Sequence, residues 1–358
     1  MSKMRVAVIF GGVSSEHDIS LMSASFIVRN IPAEQYEVVC VGITKKGRWL
    51  YYPGSADGIL DGSWETHPDC VSAILSPDPV HKGFAKLFED GTMSFQRVDV
   101  IFPVLHGKNG EDGTIQGLFT LAGLPYVGCD TLSSAICMDK AMTHTVLDYN
   151  GIRTAKWRAF TRAQLSKLDE ICEALEGDFS YPVFVKPANG GSSIGVSRAG
   201  NRTELKDAVK LAFSHDNKAV IEETLHGFEV ECAVLGNDET FASVVGGIVP
   251  PDGVYDFDSK YVLNTTELQI PAKLPADIAE TVRETARRAY LALGCTGLAR
   301  VDFFVTGDGV VLNEVNTLPG FTGISMYPKL MNASGTESSV LLDTLIKLAI
   351  DRAEGSHG

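Results

Sequence analysis

The sequence lacks any apolar run close to the roughly 20 residues that a membrane-spanning helix needs. Its seven cysteines are an odd number without CxxC spacing, which favours free thiols over a disulfide scaffold or a zinc site. Excess positive charge is also missing, since 31 Lys and Arg stand against 45 Asp and Glu, for a formal net charge of −14. These absences argue against a nucleic-acid or membrane partner.

Two common nucleotide-binding signatures are absent as well. No GxxxxGK[ST] stretch occurs, and no GxGxxG follows a strand, which argues against a P-loop enzyme and a nicotinamide dehydrogenase. The chain also has no internal repeat and no low-complexity tract. Its 358 residues are 44% hydrophobic and 21% charged, a globular composition with room for about two or three domains.

The first third of the chain alternates strands with helical stretches. The apolar run VAVIF is predicted to be a first strand rather than a signal peptide, because glycines and polar residues follow it directly. The alternation predicts βαβ units and a largely parallel sheet, in which ligands bind outside the carboxyl ends of the strands. The predicted elements are strands Arg5–Phe10, Glu37–Ile43 and Val98–Leu105 and a helix over Ser20–Asn30.

A second unit begins near Cys129 and mixes helices with strands. Its predicted helices are Met138–Asn150, Thr203–His215 and Pro275–Leu293. Its predicted strands are Tyr181–Lys186, Ala219–Glu223, Glu229–Leu235, Phe241–Val249, Ala299–Thr306 and Val310–Val315. The last two are separated by Gly-Asp-Gly, which predicts a hairpin.

The predicted hairpin carries the clearest chemistry. Strand side chains alternate between faces, so Arg300 and Asp302 share one face, as do Glu314 and Asn316. In an antiparallel pair Asp302 can lie across from Glu314. Magnesium binds such hard oxygen ligands. The alternative is a cross-strand salt bridge on a solvated face.

Other polar segments are ambiguous when taken singly. Lys186 leads into a Gly/Ser loop whose N–H groups suit a phosphate, or which is only a hairpin turn. Lys140 at a helix start is otherwise a surface lysine. Residues 222–225 with Glu229 suit adenine and ribose, or form an acidic loop. Glu111 and its neighbour Asp112 suit a site, or cap the helix that follows.

Taken in order, these segments resemble the D-alanine–D-alanine ligase family of ATP-grasp enzymes, from Val6 to about Leu348. The most specific strings are GGVSSEHDIS, HGKNGEDGTIQG, GCDTLSSAICMDK, VKPANGGSSIGV, YDFDSKY, RVDFF and NEVNTLPGFT. The resemblance implies an α/β and α+β fold, with an N-terminal open parallel sheet followed by a two-part ATP-grasp. It implies units at 1–128, 129–223 and 224–352, with a mobile lid at 246–271.

The same resemblance implies ATP as a substrate and two Mg²⁺ ions, with Mn²⁺ able to substitute. It assigns the ATP phosphates to Lys140 and Lys186. Adenine and ribose are assigned to Glu222, Glu223, Leu225 and Glu229. The metal ligands it implies are Asp302, Glu314 and Asn316.

The catalytic assignments also follow from the resemblance. Glu16 would bind the ammonium of the first D-alanine, and His106 would help to hold that substrate. Arg300 and the Gly320 N–H would form an oxyanion hole. Three further residues complete the implied site: Ser192 and Tyr261 linked to Glu16, and Lys260 reaching the transferred phosphate from the lid.

The identity of the second substrate depends on fewer residues. Tyr261 favours an amine acceptor over D-lactate. Ser325 and Met326 are predicted to lie at the acceptor site, where Ser325 suits the acceptor carboxylate and the apolar Met326 favours D-alanine over D-serine. The alternatives are a D-alanine–D-serine ligase of the vancomycin-resistance type and a non-catalytic nucleotide sensor. The sensor is disfavoured because no residue of the hairpin cluster is lost. The resemblance further implies a cytoplasmic homodimer serving peptidoglycan synthesis.

Overall fold

A computed structural model describes residues 3–191, 193–249 and 267–355. Its first part is a seven-stranded sheet ordered β6-β5-β4-β3-β2-β1-β7. The strands are β1 (Met4–Gly11), β2 (Tyr36–Ile43), β3 (Trp49–Tyr52), β4 (Val71–Leu75), β5 (Gly83–Leu87), β6 (Met93–Arg97) and β7 (Val100–Val104). Parallel pairing is limited to β1, β2 and β7, and β3 to β6 extend the sheet as an antiparallel meander. The predicted parallel sheet is therefore present but covers only part of this unit.

Strand β1 is apolar and buried from Val6 to Phe10 because both of its faces are covered there. Val6, Val8 and Phe10 lie in one core cluster, whereas Ala7 and Ile9 lie in another. The first cluster also takes in the C-terminal helices, so the two ends of the chain share a core. The helices of this part are α1 (His17–Asn30), α2 (Ala56–Leu60) and α3 (Thr114–Leu121), with a 3-10 turn at Ser63–Thr66.

A four-stranded antiparallel sheet ordered β10-β9-β11-β8 forms the central part. The helix predicted over 138–150 is present over Lys140–Tyr149, and it begins there because the side chain of Asp139 accepts the N–H groups of Ala141 and Met142. The elements are α4 (Thr131–Met138), α5 (Lys140–Tyr149), β8 (Trp157–Thr161), a 3-10 turn (Arg162–Lys167), α6 (Leu168–Asp178), β9 (Val183–Pro187), β10 (Ser197–Ala199), α7 (Arg202–His215) and β11 (Lys218–Glu223).

A five-stranded antiparallel sheet ordered β14-β13-β12-β15-β16 forms the last part. Its strands are β12 (Gly227–Gly236), β13 (Thr240–Val249), β14 (Glu267–Gln269), β15 (Gly297–Thr306) and β16 (Gly309–Asn316). One face of this sheet is apolar and packs on α8 (Ala276–Ala292). The opposite face is turned toward the central sheet. Helices α9 (Met326–Ala333) and α10 (Ser338–Gly355) follow. Among the described helices, none combines the length and apolar character needed to cross a bilayer.

Candidate active site

One cavity of about 490 Å³ lies between the central and C-terminal sheets and reaches loops of the N-terminal part. Strands β9 and β11 form one wall, and β12, β15 and β16 form the other. Thirteen of the predicted site residues line it: Glu16, His106, Lys140, Lys186, Glu222, Glu223, Leu225, Glu229, Arg300, Asp302, Glu314, Asn316 and Gly320. The fold therefore brings together segments that are scattered along the chain.

The two residues predicted at the acceptor site are not among the residues that line the cavity, although Ser325 Oγ lies beside the cavity-lining Gly320. Met326 is 6% exposed and packs in the core with Leu330, away from the cavity walls. The Ser325 hydroxyl accepts the N–H of Thr322 at 3.0 Å. Three other predicted residues, Ser192, Lys260 and Tyr261, and most of the predicted lid lie outside the described residues. Their roles stay predictions.

An acidic cluster occupies the C-terminal wall of the cavity. Carboxylate oxygens of Glu229, Glu231 and Asp302 lie within 4.8 Å of one another, and all three residues are buried. Strand pairing produces this cluster, because Asp302 lies opposite Glu231 on one side and opposite Glu314 on the other. The pairing of Asp302 with Glu314 is the one that the hairpin pattern predicts, but Glu231 was not predicted.

Arg300 compensates part of this buried negative charge. Its Nε lies 3.0 Å from Glu231 Oε2, and its Nη2 donates to Asp302 Oδ2 at 2.7 Å. Although burial opposes it, the neighbouring carboxylates Asp302 and Glu231 raise the pKa of Arg300 well above its ordinary value. Asn316 Nδ2 donates to the same Asp302 oxygen at 3.0 Å. One arginine among several carboxylates leaves an oxygen-rich, negative site, which fits a divalent cation such as Mg²⁺.

Two lysines line the opposite wall. Lys186 Nζ lies 2.7 Å from Glu222 Oε2, and Lys140 Nζ donates to the Gly190 carbonyl at 2.7 Å. Burial lowers the pKa of Lys140, and the charge of Lys186 lowers it further while Glu314 opposes both. The Lys140 ammonium group therefore lies at the glycine-rich loop that was predicted to meet a phosphate, and the Lys186 ammonium group lies at Glu222 on the same wall.

His144 also lines this wall, and it is not one of the predicted site residues. It lies one turn after Lys140 on α5, so both side chains share a helix face. Its Nε2 lies 3.0 Å from Glu222 Oε1, and its ring stacks on Trp157 at a centroid distance of 5.2 Å. Burial would raise the pKa of Glu222, but Lys186 and His144 lower it, which keeps this carboxylate ionised.

The N-terminal loops approach the cavity through closely packed glycines. Gly107 has φ +67, and a Cβ there would lie 2.6 Å from Glu16 Oε2. A Cβ at Gly191 would lie 3.2 Å from the same oxygen. Glu16 is therefore held between the loop after β7 and the glycine-rich loop of the central part. His106 lies beside it, and burial lowers the pKa of His106.

Glu111 connects this loop to the C-terminal part. Its Oε2 accepts the N–H of Gly107 at 2.7 Å, and its Oε1 accepts the N–H of Leu318 at 3.1 Å. Burial raises the pKa of Glu111 to about 7. Helix α3 has Gly113 at its N-cap without a side-chain cap, so the capping role considered for Glu111 is wrong.

The titration of Glu111 predicts a pH dependence of stability. Its pKa rises from 4.5 to about 7 on folding, so the folded chain keeps this proton where the unfolded chain has lost it. The contribution to stability is complete below pH 4.5 and is lost as the pH rises through 7. As the pH rises from about 5 to 8, we expect the free energy of unfolding of Glu111→Gln to increase relative to that of wild type. Urea denaturation of both proteins across this pH range measures the effect. A difference in the free energy of unfolding that does not change with pH would contradict the prediction.

Two sheets that hold a cavity between lysines on one wall and carboxylates on the other define an ATP-grasp protein. The chain belongs to the D-alanine–D-alanine ligase family. Residues 5–129 match the family model described as the D-ala D-ala ligase N-terminus, and residues 146–347 match the D-ala D-ala ligase C-terminus. The family and fold class predicted from the sequence are thereby confirmed.

Individual relatives resemble the chain over nearly its whole length. A D-alanine–D-alanine ligase of Caldicellulosiruptor bescii is 49% identical over 355 residues, covering 98% of this chain and 96% of that protein. The VanG D-Ala:D-Ser ligase of Enterococcus faecalis superimposes with a TM-score of 0.90 at 42% identity, covering 97% and 100% of the two chains. The D-alanine–D-alanine ligase of Coxiella burnetii gives 0.89 at 34% identity, covering 100% and 97%.

Proposed function

We propose that this protein joins two D-alanine molecules into D-alanyl-D-alanine at the expense of ATP. The observation that carries the proposal is a single cavity lined by two lysines, an acidic cluster with an arginine, and Glu16. A carboxylate is a poor electrophile, so amide formation requires its activation. A site that holds a nucleotide and an amino acid side by side can supply that activation as an acylphosphate.

ATP would lie along the wall formed by the central sheet. Lys140 and Lys186 bind its phosphates, because ammonium groups stabilise the charge of a phosphoryl group in transfer. Glu222, Glu223 and Leu225 at the end of β11 hold the adenine. Glu229, which belongs to the acidic cluster, binds the ribose.

Asp302 of the acidic cluster, with Glu314 and Asn316 of β16, would hold two Mg²⁺ ions, and bound Mg²⁺ would neutralise phosphate charge. The protein's own contribution at this wall is Arg300, which Glu231 and Asp302 fix in place. Arg300 and the N–H of Gly320 stabilise the oxyanion that forms when the acceptor amine attacks. One such donor is typically worth about 3–4 kcal/mol.

The first D-alanine would be held by the N-terminal loops. Glu16 binds its ammonium group, and His106 helps to position it. The proposal includes Ser192 and Tyr261 as partners of Glu16. It also includes Lys260 on a lid over 246–271, because an acylphosphate must be protected from water.

D-Serine is the second candidate for the acceptor. Similarity to a D-Ala:D-Ser ligase at a TM-score of 0.90 favours it, and Met326 packs in the core instead of lining the cavity. We retain D-alanine because the curated relatives at 45–49% identity are named D-alanine–D-alanine ligases. Ser325 stays a proposed contact for the acceptor carboxylate.

We further propose three functional units at 1–128, 129–223 and 224–352. Family membership supports a role in making a peptidoglycan precursor in the cytoplasm, with the protein acting as a homodimer. Measuring the mass in solution tests the dimer, and a monomer at assay concentration would contradict it.

The proposed reaction is tested by ATP-dependent phosphate release with Mg²⁺ and D-alanine, with the products identified by mass. We expect D-alanyl-D-alanine, and little diversion when D-serine is added in equal amount. A dominant D-alanyl-D-serine product would overturn the choice of acceptor. An absence of turnover with both amino acids would overturn the proposed ligase activity.

Gly107→Ala is expected to raise the KM for D-alanine at least tenfold. Its new Cβ would lie 2.6 Å from Glu16 Oε2, a distance at which the carboxylate must move, and displacement by about 1 Å costs on the order of 10²-fold in rate. Initial rates at saturating ATP measure the effect.

Gly91→Ala is the matched control for this variant. Gly91 has φ +81 and Gly107 has φ +67, but a Cβ at Gly91 meets nothing within 4 Å. Both variants carry the backbone strain of about 1–2 kcal/mol, and only one contacts Glu16. Equal KM values in the two variants would show that strain, and not Glu16, causes the effect.

A further inference from the structure

The turn after β16 carries Gly320 and is attached to the N-terminal part by hydrogen bonds to its main chain. The N–H of Leu318 donates to Glu111 Oε1 at 3.1 Å. The carbonyl of the same residue is 2.9 Å from His106 Nδ1. Both polar groups of one residue are therefore held by side chains from the loop after β7.

A second attachment lies on the other side of Gly320. The N–H of Phe321 donates to Ser23 Oγ at 3.1 Å, and that hydroxyl lies 3.4 Å from His106 Nε2. Ser23 and His106 are both buried. The backbone that presents the Gly320 N–H is therefore held on both sides, at Leu318 and at Phe321. His106 contacts the Leu318 carbonyl and the Ser23 hydroxyl, and so takes part in both attachments.

We propose that Glu111 is a positioning residue that holds the 318–321 turn and thereby aims the Gly320 N–H at the reacting carbonyl. The inference rests on the proposed function, since it assigns Gly320 to the oxyanion. Donors lower a barrier only when they are already oriented, so the residue that fixes the turn sets part of the rate. Glu111 accepts two backbone N–H groups in this arrangement, and it also lines the cavity.

Above about pH 7, where Glu111 is ionised, its carboxylate can accept two N–H groups at once, one on each oxygen. Gly107 is held at 2.7 Å by one oxygen and Leu318 at 3.1 Å by the other. Glutamine offers one oxygen and one NH₂ group, so it can accept only one of the two. Aspartate is one methylene shorter and cannot span both.

The chain provides a control in the adjacent residue. Asp112 also accepts two backbone N–H groups, from Asn109 at 2.8 Å and Thr114 at 3.0 Å. These contacts go to its own loop and to the first residue of α3, and they do not reach Leu318. Glu111→Gln and Asp112→Asn therefore make the same chemical change in the same loop, and only the first releases the 318–321 turn.

Hydrogen exchange on the ligand-free full chain tests the attachment directly. A charge-assisted hydrogen bond lost at Leu318 should speed exchange of a peptide covering 316–321 by about tenfold or more in Glu111→Gln. Asp112→Asn should leave that peptide unchanged within about twofold. Exchange that is unchanged in Glu111→Gln, or equally raised in both variants, overturns the inference.

Steady-state kinetics tests the consequence for the reaction. We expect Glu111→Gln to lower kcat by about 10- to 100-fold with an unchanged KM for ATP, and Glu111→Asp to fail to restore it. If Glu111→Gln does not fold, Ser23→Ala removes the attachment at Phe321 and should lower kcat in the same way. A wild-type chain without ligase activity would overturn the proposed function while exchange still tests the attachment. An active wild type with an unaffected kcat in Glu111→Gln would overturn only this inference.

Discussion

Replacing Asp302 by asparagine is expected to lower kcat by about a thousandfold or more, equivalent to roughly 4 kcal/mol in the barrier. Asp302 is 1% exposed and is contacted by Arg300 from its own strand and by Asn316 from β16. An amide at this position offers one oxygen where the carboxylate offers two. Its NH₂ group would also face the N–H donors of Arg300 or Asn316. The buried site therefore loses one oxygen ligand and gains a repulsive contact between donors.

The matched control is Asp308→Asn in the same hairpin. Asp308 lies exposed at the turn between β15 and β16, so its substitution changes the same charge without touching the cavity. We expect kcat within about twofold of wild type for this control. Mg²⁺ titration of the rate, with circular dichroism to check folding, measures both variants. Retention of more than about a tenth of wild-type activity by Asp302→Asn would contradict its role as a ligand.

The parts of the site that could be predicted from the sequence are those set by local spacing. Alternation along a strand places Arg300 and Asp302 on one face, and the Gly-Asp-Gly turn sets which residues of the next strand lie opposite. The pairing of Asp302 with Glu314 was predicted and is present, but it also requires a register shift that the turn does not set, because Phe303 pairs with Leu312 while Asp302 pairs with Glu314. The glycine-rich loops could likewise be predicted, because each one interrupts the apolar pattern of the strand before it.

Contacts that depend on which strands become neighbours could not be predicted in this way. Glu231 lies two residues after Glu229 and shares its face, but only the pairing of β12 with β15 brings it opposite Asp302. Glu111 bonds to a residue 207 positions away. Sequence spacing left two interpretations of Glu111 open, a site residue or a helix cap, and neither included a contact with Leu318.

Met326 shows the opposite error, in which local sequence suggested a site and packing placed the side chain elsewhere. It begins α9, whose buried residues face the core, and a Cβ at Gly246 on β13 would lie 2.9 Å from its sulfur. An apolar residue at a helix start fits a substrate wall and a core equally well in sequence. The close approach of β13, possible because Gly246 has no side chain, decides between them.

Trp64→Ala is expected to cost about 3–5 kcal/mol in the free energy of unfolding, the range for removing a large buried aromatic. Trp64 is 1% exposed and packs edge-on against Phe10 with ring centroids 5.0 Å apart. A Cβ at Gly42 would lie 2.2 Å from its ring, so the backbone of β2 lies directly under the indole. Truncation leaves a void that neither β1 nor β2 can fill without bending the sheet.

Trp49→Ala is the comparison that separates burial from the loss of a tryptophan as such. Trp49 is only partly buried and lies 6.5 Å from the Phe84 ring in a tilted arrangement, so we expect a smaller loss, about 1–2 kcal/mol. Urea denaturation followed by far-UV circular dichroism measures both variants. Equal losses would contradict the argument from packing. Because Trp64 shares a core cluster with the C-terminal helices, Trp64→Ala should lower the urea midpoint at which the N-terminal sheet and the C-terminal helices unfold together.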